Sequence, residues 1–65
     1  MTARIIATTI DRDGLAMRVL ANGESQGRYT PEDKWRRFIP AGIEAAETTI
    51  ARWQEAGLAV TIIDA

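Results

Sequence analysis

Asn22-Gly23 constrains this chain more than any other feature, because both residues tolerate positive φ and together form the strongest short hairpin signal. A strand must therefore lead into the pair and another must lead out. Before it, Leu15, Met17 and Val19 alternate with Ala16 and Arg18, the period-2 pattern of a strand with one buried face. After it, residues 24–29 read as a third strand, polar and interrupted by Gly27, which suits a weak sheet edge. A second turn signal, Asp11-Arg12-Asp13-Gly14, lies upstream, and residues 4–10 (RIIATTI) before it are rich in β-branched side chains that fit a pleated surface. The first half of the chain is thus expected to form a three-stranded meander.

The second half changes period. Thr30-Pro31-Glu32-Asp33 has the pattern of a helix start: Thr30 can cap, Pro31 suits the first helical position, and the acids favour the positive end of the dipole. Trp35, Phe38 and Ile39 then fall on one face, and Pro40 ends or kinks that helix. A longer helix is predicted over residues 41–56, with Ile43, Ala46, Ile50 and Trp53 as its stripe and Gly57 as a left-handed C-terminal cap. Residues 58–63 (LAVTII) read as a buried strand with Leu58, Val60 and Ile62 inward. The expected core is Ile6, Ile10, Met17, Val19, Trp35, Phe38, Ile43, Ile50, Trp53, Leu58, Val60 and Ile62.

All 65 residues read as one compact domain, because no linker, repeat or low-complexity stretch divides them. The fold expected is a small α/β sandwich of βββαβ order. Its four-stranded sheet is mostly antiparallel, in order 3-2-1-4, with helices on one face. The last strand follows a helix, so it is expected to run parallel to the first through a right-handed crossover. That topology resembles the first half of the ribonuclease H fold.

Composition narrows the chemistry. With no Cys and no His, disulfides, thiolate metal sites and most catalytic bases are excluded, and no cofactor or metal is expected. A ribonuclease H-type enzyme needs a carboxylate at the middle of the first strand, where Ile6, Ala7 and Thr8 stand instead. Asp11 with Asp13, and Glu32 with Asp33, occupy turn and helix-start contexts that already employ acids. Ser25 has no His to activate it. A chain this short is also expected to enclose no substrate pocket of several hundred Å3. The reading is a non-enzyme. Without an apolar run of membrane-spanning length or a signal-peptide pattern, a cytoplasmic address is expected, as a monomer or weak dimer.

Two surfaces are left to carry binding. In the second half Glu44, Glu47, Glu55 and Asp64 face Arg52 alone, a net of −3 over residues 38–65. On a helix, Glu44 and Glu55 fall opposite the apolar stripe with Glu47 beside it, a row of carboxylates able to stand in for a phosphate backbone. The other surface is Arg28, Lys34, Arg36 and Arg37, interleaved with Tyr29 and Trp35; Glu32 and Asp33 reduce its net charge to +2. Basic and aromatic side chains together neutralise phosphates and stack bases.

Two family resemblances bear on these surfaces. A cysteine-free 65-residue α/β globule with no catalytic residues and segregated acidic charge resembles the small anti-CRISPR proteins of phages and mobile elements. That resemblance implies a protein partner, a DNA-binding subunit of a type I CRISPR effector complex, blocked by a DNA-mimicking acidic surface, with no direct nucleic-acid binding. The strand order and the acidic turn Asp11-Arg12-Asp13-Gly14 are also similar to the HicB-like antitoxin domain, which implies one small toxin as partner. Antitoxins of that family usually add a C-terminal DNA-binding module, whereas here Asp64 and Ala65 directly follow the last strand.

Overall fold

In the computed structural model, which describes residues 3–38 and 45–64, both turns close as their residues require. Asp11 Oδ1 accepts hydrogen bonds from the backbone N–H groups of Asp13 (2.8 Å) and Leu15 (2.9 Å), and Gly14 takes a φ of 88°. At the second turn the Gly23 N–H donates to Leu20 O (2.9 Å), and Asn22 Oδ1 accepts from the Glu24 N–H (2.9 Å). These turns join β1 (Ile5–Ile10), β2 (Ala16–Leu20) and β3 (Ser25–Arg28) into the expected meander. A bulge in β1 between Ile5 and Ala7 sets Ile6 as an extra residue against β2, and Ile6 packs against the core.

Beyond β3 the expectation of a helix over residues 31–39 is overturned. The capping signal is real but yields a single turn: the Asp33 N–H donates to Thr30 O (3.0 Å) and the Thr30 N–H donates to Asp33 Oδ2 (3.2 Å). With Pro40 so close there are too few residues for a helix to propagate, since short helices are marginal in water. The chain instead extends, and β4 (Arg36–Arg37) pairs antiparallel with β3, Gln26 against Arg37 and Gly27 against Arg36.

That extra strand reverses the parity of everything after it. A chain leaving β3 would have entered its helix from one end of the sheet; leaving β4, it enters from the other. The helix α1 (Ala46–Glu55) starts beside Arg4, Ala21 and Gly23 and ends where Arg12 Nη2 donates to Ala56 O (3.4 Å). The last strand, β5 (Thr61–Ile62), therefore arrives antiparallel to β1, with Ala7 opposite Ile62 and Thr8 opposite Thr61. The sheet has five strands in order β4-β3-β2-β1-β5, antiparallel at every pairing. The parallel crossover, and with it the ribonuclease H-like topology, does not form. The neighbours predicted for the first three strands and the last one do occur, as four consecutive strands of this longer order.

One helix is present among the described residues, and it covers one face of the sheet. Its C-terminus is closed by two bonds: the Gly57 N–H donates to Gln54 O (3.0 Å) and the Leu58 N–H donates to Trp53 O (3.1 Å). This is the Schellman arrangement, with Gly57 at φ 84° and Leu58 folded back toward Trp53 in the core. Under the helix lie Ala7 and Val19, both fully buried, with Ala46 and Trp53, and with Ile6, Met17, Ile50, Leu58 and Val60 against them. Thr9 is buried on the same face, and its hydroxyl donates to Ala59 O (2.7 Å), so the polar atom has a partner.

Helix α1 packs on β1 and β2. Over β3, Phe38 provides the cover, lying so close that a Cβ on Gly27 would sit 2.8 Å from Phe38 Cζ. Three expected core positions need revision. Ile10 is 64% exposed, because the bulge at Ile6 puts Ala7 and Thr9 inward and turns Ile10 to the face away from α1, and Ile62 is 49% exposed on the two-residue edge strand β5. Trp35 is half-buried on the opposite face of the sheet, beside Arg18 and Arg28. Ile43, also expected in the core, lies outside the described residues.

Candidate functional site

Antiparallel pairing brings directly opposed residues to the same face. The registers Thr61–Thr8, Thr8–Arg18, Arg18–Gln26 and Gln26–Arg37 therefore build one row across all five strands, on the face turned away from α1. A second row on that face runs Ile10–Ala16–Arg28. At the usual strand spacing the first row is about 19 Å long. Where α1 buries the other face, this one carries three arginines in a polar first row and at the end of the second, with Ile10 and Ala16 beside them.

Trp35 lies on this face. The Cζ atoms of Arg18 and Arg28 stand 4.2 Å and 4.4 Å from its ring centroid, within cation–π distance. Both guanidiniums are fixed from elsewhere as well. Arg18 Nε donates to Gln26 Oε1 (2.6 Å), and Gln26 Nε2 in turn donates to Glu24 Oε2. Arg28 Nη1 donates to Pro31 O (3.2 Å), the carbonyl that the single turn after β3 presents. Arg37 Nη1 stands 3.8 Å from Glu24 Oε1 at the margin of the cluster. Burial and the neighbouring Arg28 cation pull the Arg18 guanidinium below its ordinary pKa, with Glu24 opposing them. The arrangement concentrates positive charge around a partly exposed aromatic ring, with Glu24 as its counter-charge.

The four basic residues singled out in the sequence divide accordingly. Arg28 and Arg37 join the open face, Lys34 is exposed in the segment before Trp35, and Arg36 pairs with Gly27 and so belongs to the helix side. Reading along the sequence misses Arg18. Its signal is nevertheless present, because the Asn22-Gly23 turn sets Arg18 opposite Gln26 and the alternation around Met17 and Val19 sets it outward.

The acidic residues singled out in the sequence lie at two places among the described residues, on α1 and just after β5. Glu47 and Glu55 are both exposed on α1, about 12 Å apart along its axis, with Arg52 between them. Asp64 is bound to Arg4 Nε across the start of the sheet. Glu44 lies outside the described residues.

Of the remaining acids, Asp11 and Asp33 accept backbone hydrogen bonds in their turns. Among the described residues no three His, Cys, Asp or Glu side chains converge at metal-binding spacing. An open cleft of about 540 Å3 lies between the start of α1 and the β1–β2 end of the sheet. Arg4, Asn22 and Glu47 are its polar side chains, Ile6, Ile50 and Ile62 its largest apolar ones, and it borders Ala45, before which the described residues stop. Among the described residues no helix is long and apolar enough to cross a membrane. Comparison of the chain with protein families, with curated proteins and with solved structures finds no match in any of the three.

Proposed function

We propose that this chain is a non-enzymatic binding protein that engages an anionic partner through its open sheet face. The observation that carries the reading is the position of Trp35 against Arg18 and Arg28. Part of that large aromatic ring stays exposed on a face that α1 does not cover, which forgoes some of the apolar burial a core position would give. Its two arginine neighbours are held by Gln26 and by the Pro31 carbonyl, so little ordering remains to be done when a partner arrives. The sequence weights the acidic surface more heavily; the transfer of Trp35 from the expected core to the open face reverses that weighting.

The test is retention on a heparin column, a generic polyanion, with salt elution. The parent protein is retained, and the double variant Arg18→Gln/Arg28→Gln elutes near the void with its far-ultraviolet spectrum unchanged. Equal retention of the two would remove the proposal.

A second reading rests on Glu47 and Glu55, both exposed on α1, with Glu47 at the rim of the cleft beside the sheet. Here the chain is an inhibitor of the anti-CRISPR kind, its carboxylates occupying the basic groove of a DNA-handling protein, where charge complementarity raises the association rate and selects the partner. Under that reading Glu47→Lys/Glu55→Lys abolishes inhibition of an effector complex and Arg18→Gln/Arg28→Gln leaves it intact. Under the first reading the variants act the other way round.

A further inference from the structure

Resting on the open-face reading, we infer that the ligand of that face is single-stranded nucleic acid, with an unpaired base stacked on the exposed part of the Trp35–Arg18–Arg28 cluster and its phosphates met by Arg37 and by the outward N–H groups of Arg18 and Arg28. Charge complementarity comes first. Three arginines share the face with the Glu24 carboxylate, and a bound anion relieves the mutual repulsion of Arg18 and Arg28. A guanidinium has five N–H donors, of which Gln26 engages one on Arg18 and Pro31 one on Arg28. The remaining donors form the planar fork that matches phosphate oxygens.

The aromatic ring decides which anion. A phosphate alone, or an acidic peptide, needs the arginines and gains nothing from a tryptophan. A nucleobase has a π-face, and stacking is tolerant of base identity. Duplex does not offer that face, because its bases are stacked on one another. Nor does this fold offer what duplex recognition usually employs, a basic helix for the major groove: α1 carries Glu47 and Glu55 on its exposed side with Arg52 as its one basic residue. A row of about 19 Å has room for several nucleotides, in the range a single small β domain covers. Thr8 and Thr61 continue the row with hydroxyls on the far side of Arg18.

The experiment measures fluorescence anisotropy of end-labelled oligothymidine and oligouridine of about 12 nucleotides, beside a duplex of the same length, at about 0.15 M salt. Tryptophan emission is read in parallel. Both single strands are expected to bind and to quench the emission, and the duplex to bind about ten-fold or more weakly. Trp35→Ala should weaken single-strand binding about ten-fold, the usual scale of one stacked base, while Trp35→Phe retains most of it. A thermal melt of each variant separates lost stacking from lost folding. The slope of log K against log salt should be about −2, as three arginine–phosphate contacts require for a single strand.

Equal binding of duplex and single strand, or full binding by a folded Trp35→Ala variant, overturns the inference. So does polyglutamate binding more tightly than either oligonucleotide, although the anionic-partner reading would then stand. If the heparin column still distinguishes Arg18→Gln/Arg28→Gln from the parent while no oligonucleotide binds, only the single-strand assignment falls. If neither assay shows a difference, both fall.

Discussion

The two tryptophans of this chain stand on opposite faces of one sheet and do different work. Trp53 closes the apolar stripe of α1 and is 8% exposed, packed with Val19 and Ala7 beneath the helix. Trp35 has no helix over it among the described residues; its neighbours are the guanidiniums of Arg18 and Arg28. A domain this small has little apolar surface to bury, so leaving one of its largest side chains outside the core sacrifices stability. The difference teaches that the covered face accounts for folding, and that the open face has to be explained by something else.

The largest expected effect breaks the covered side. Trp53→Ala removes the largest side chain under the helix and should destabilise the protein by about 3–5 kcal/mol, enough to unfold most of it at room temperature. Chemical denaturation followed by circular dichroism checks this. A loss below about 1 kcal/mol would mean that the two faces are not energetically distinct. Gly27→Ala comes next, because Phe38 rather than α1 covers β3. The new Cβ would meet Phe38 Cζ at 2.8 Å and the Ala16 carbonyl oxygen at 3.3 Å, and the ring must move away. An overpacking loss of about 1–3 kcal/mol is expected, and in the double variant Gly27→Ala/Phe38→Leu it should shrink. Gly57→Ala is smaller again. Nothing crowds the site, since the nearest atom is Arg12 Nη2 at 4.0 Å, but a φ of 84° strains any side chain. About 1 kcal/mol should be lost in the same denaturation assay, with the helix content of the folded state retained.

How much of this is legible in the residues depends on how local each signal is. Asn22-Gly23, Asp11 with Gly14, and Gly57 each act within a few residues, and all three form where they are read, with Gly23 and not Asn22 taking the positive φ. The cap at Thr30 also forms as a cap, yet the path of the chain beyond it is decided by pairing with β3, a contact that local propensity does not contain. That one pairing propagates. A fourth strand reverses the direction of the last one, and it moves Trp35 from a helix face to the open side of the sheet. The candidate site diverges from its sequence reading at the same place. Grouping basic residues by proximity along the chain overlooks Arg18, which is distant in sequence from Arg28, and includes Arg36, which faces the helix side.

The smallest expected effect is the most discriminating for the open face, and it concerns Arg28. Replacing Arg28 with Gln removes a guanidinium from the Trp35 ring, a loss on the order of 0.5–1 kcal/mol for a partly exposed pair. The same change removes the like charge that lowers the Arg18 pKa, a gain of opposite sign. The two oppose each other, so the stability lost should stay within about 1 kcal/mol, the scale of one exposed cation–π pair. The pH dependence is set by the direction of the Arg18 shift. A base whose folded-state pKa is lowered binds fewer protons when folded than when unfolded, so the penalty is fully present at low and neutral pH. It is relieved only as pH rises through the folded-state pKa, which for a guanidinium is an alkaline range. Between about pH 6 and 8 the Arg28→Gln protein should therefore track the parent at constant offset. If instead it loses about 2 kcal/mol or more, Arg28 and Trp35 form a second packing layer and the open face is structural. If stability is unchanged while retention on heparin falls, the arginine is held there against its neighbour for the sake of what it binds.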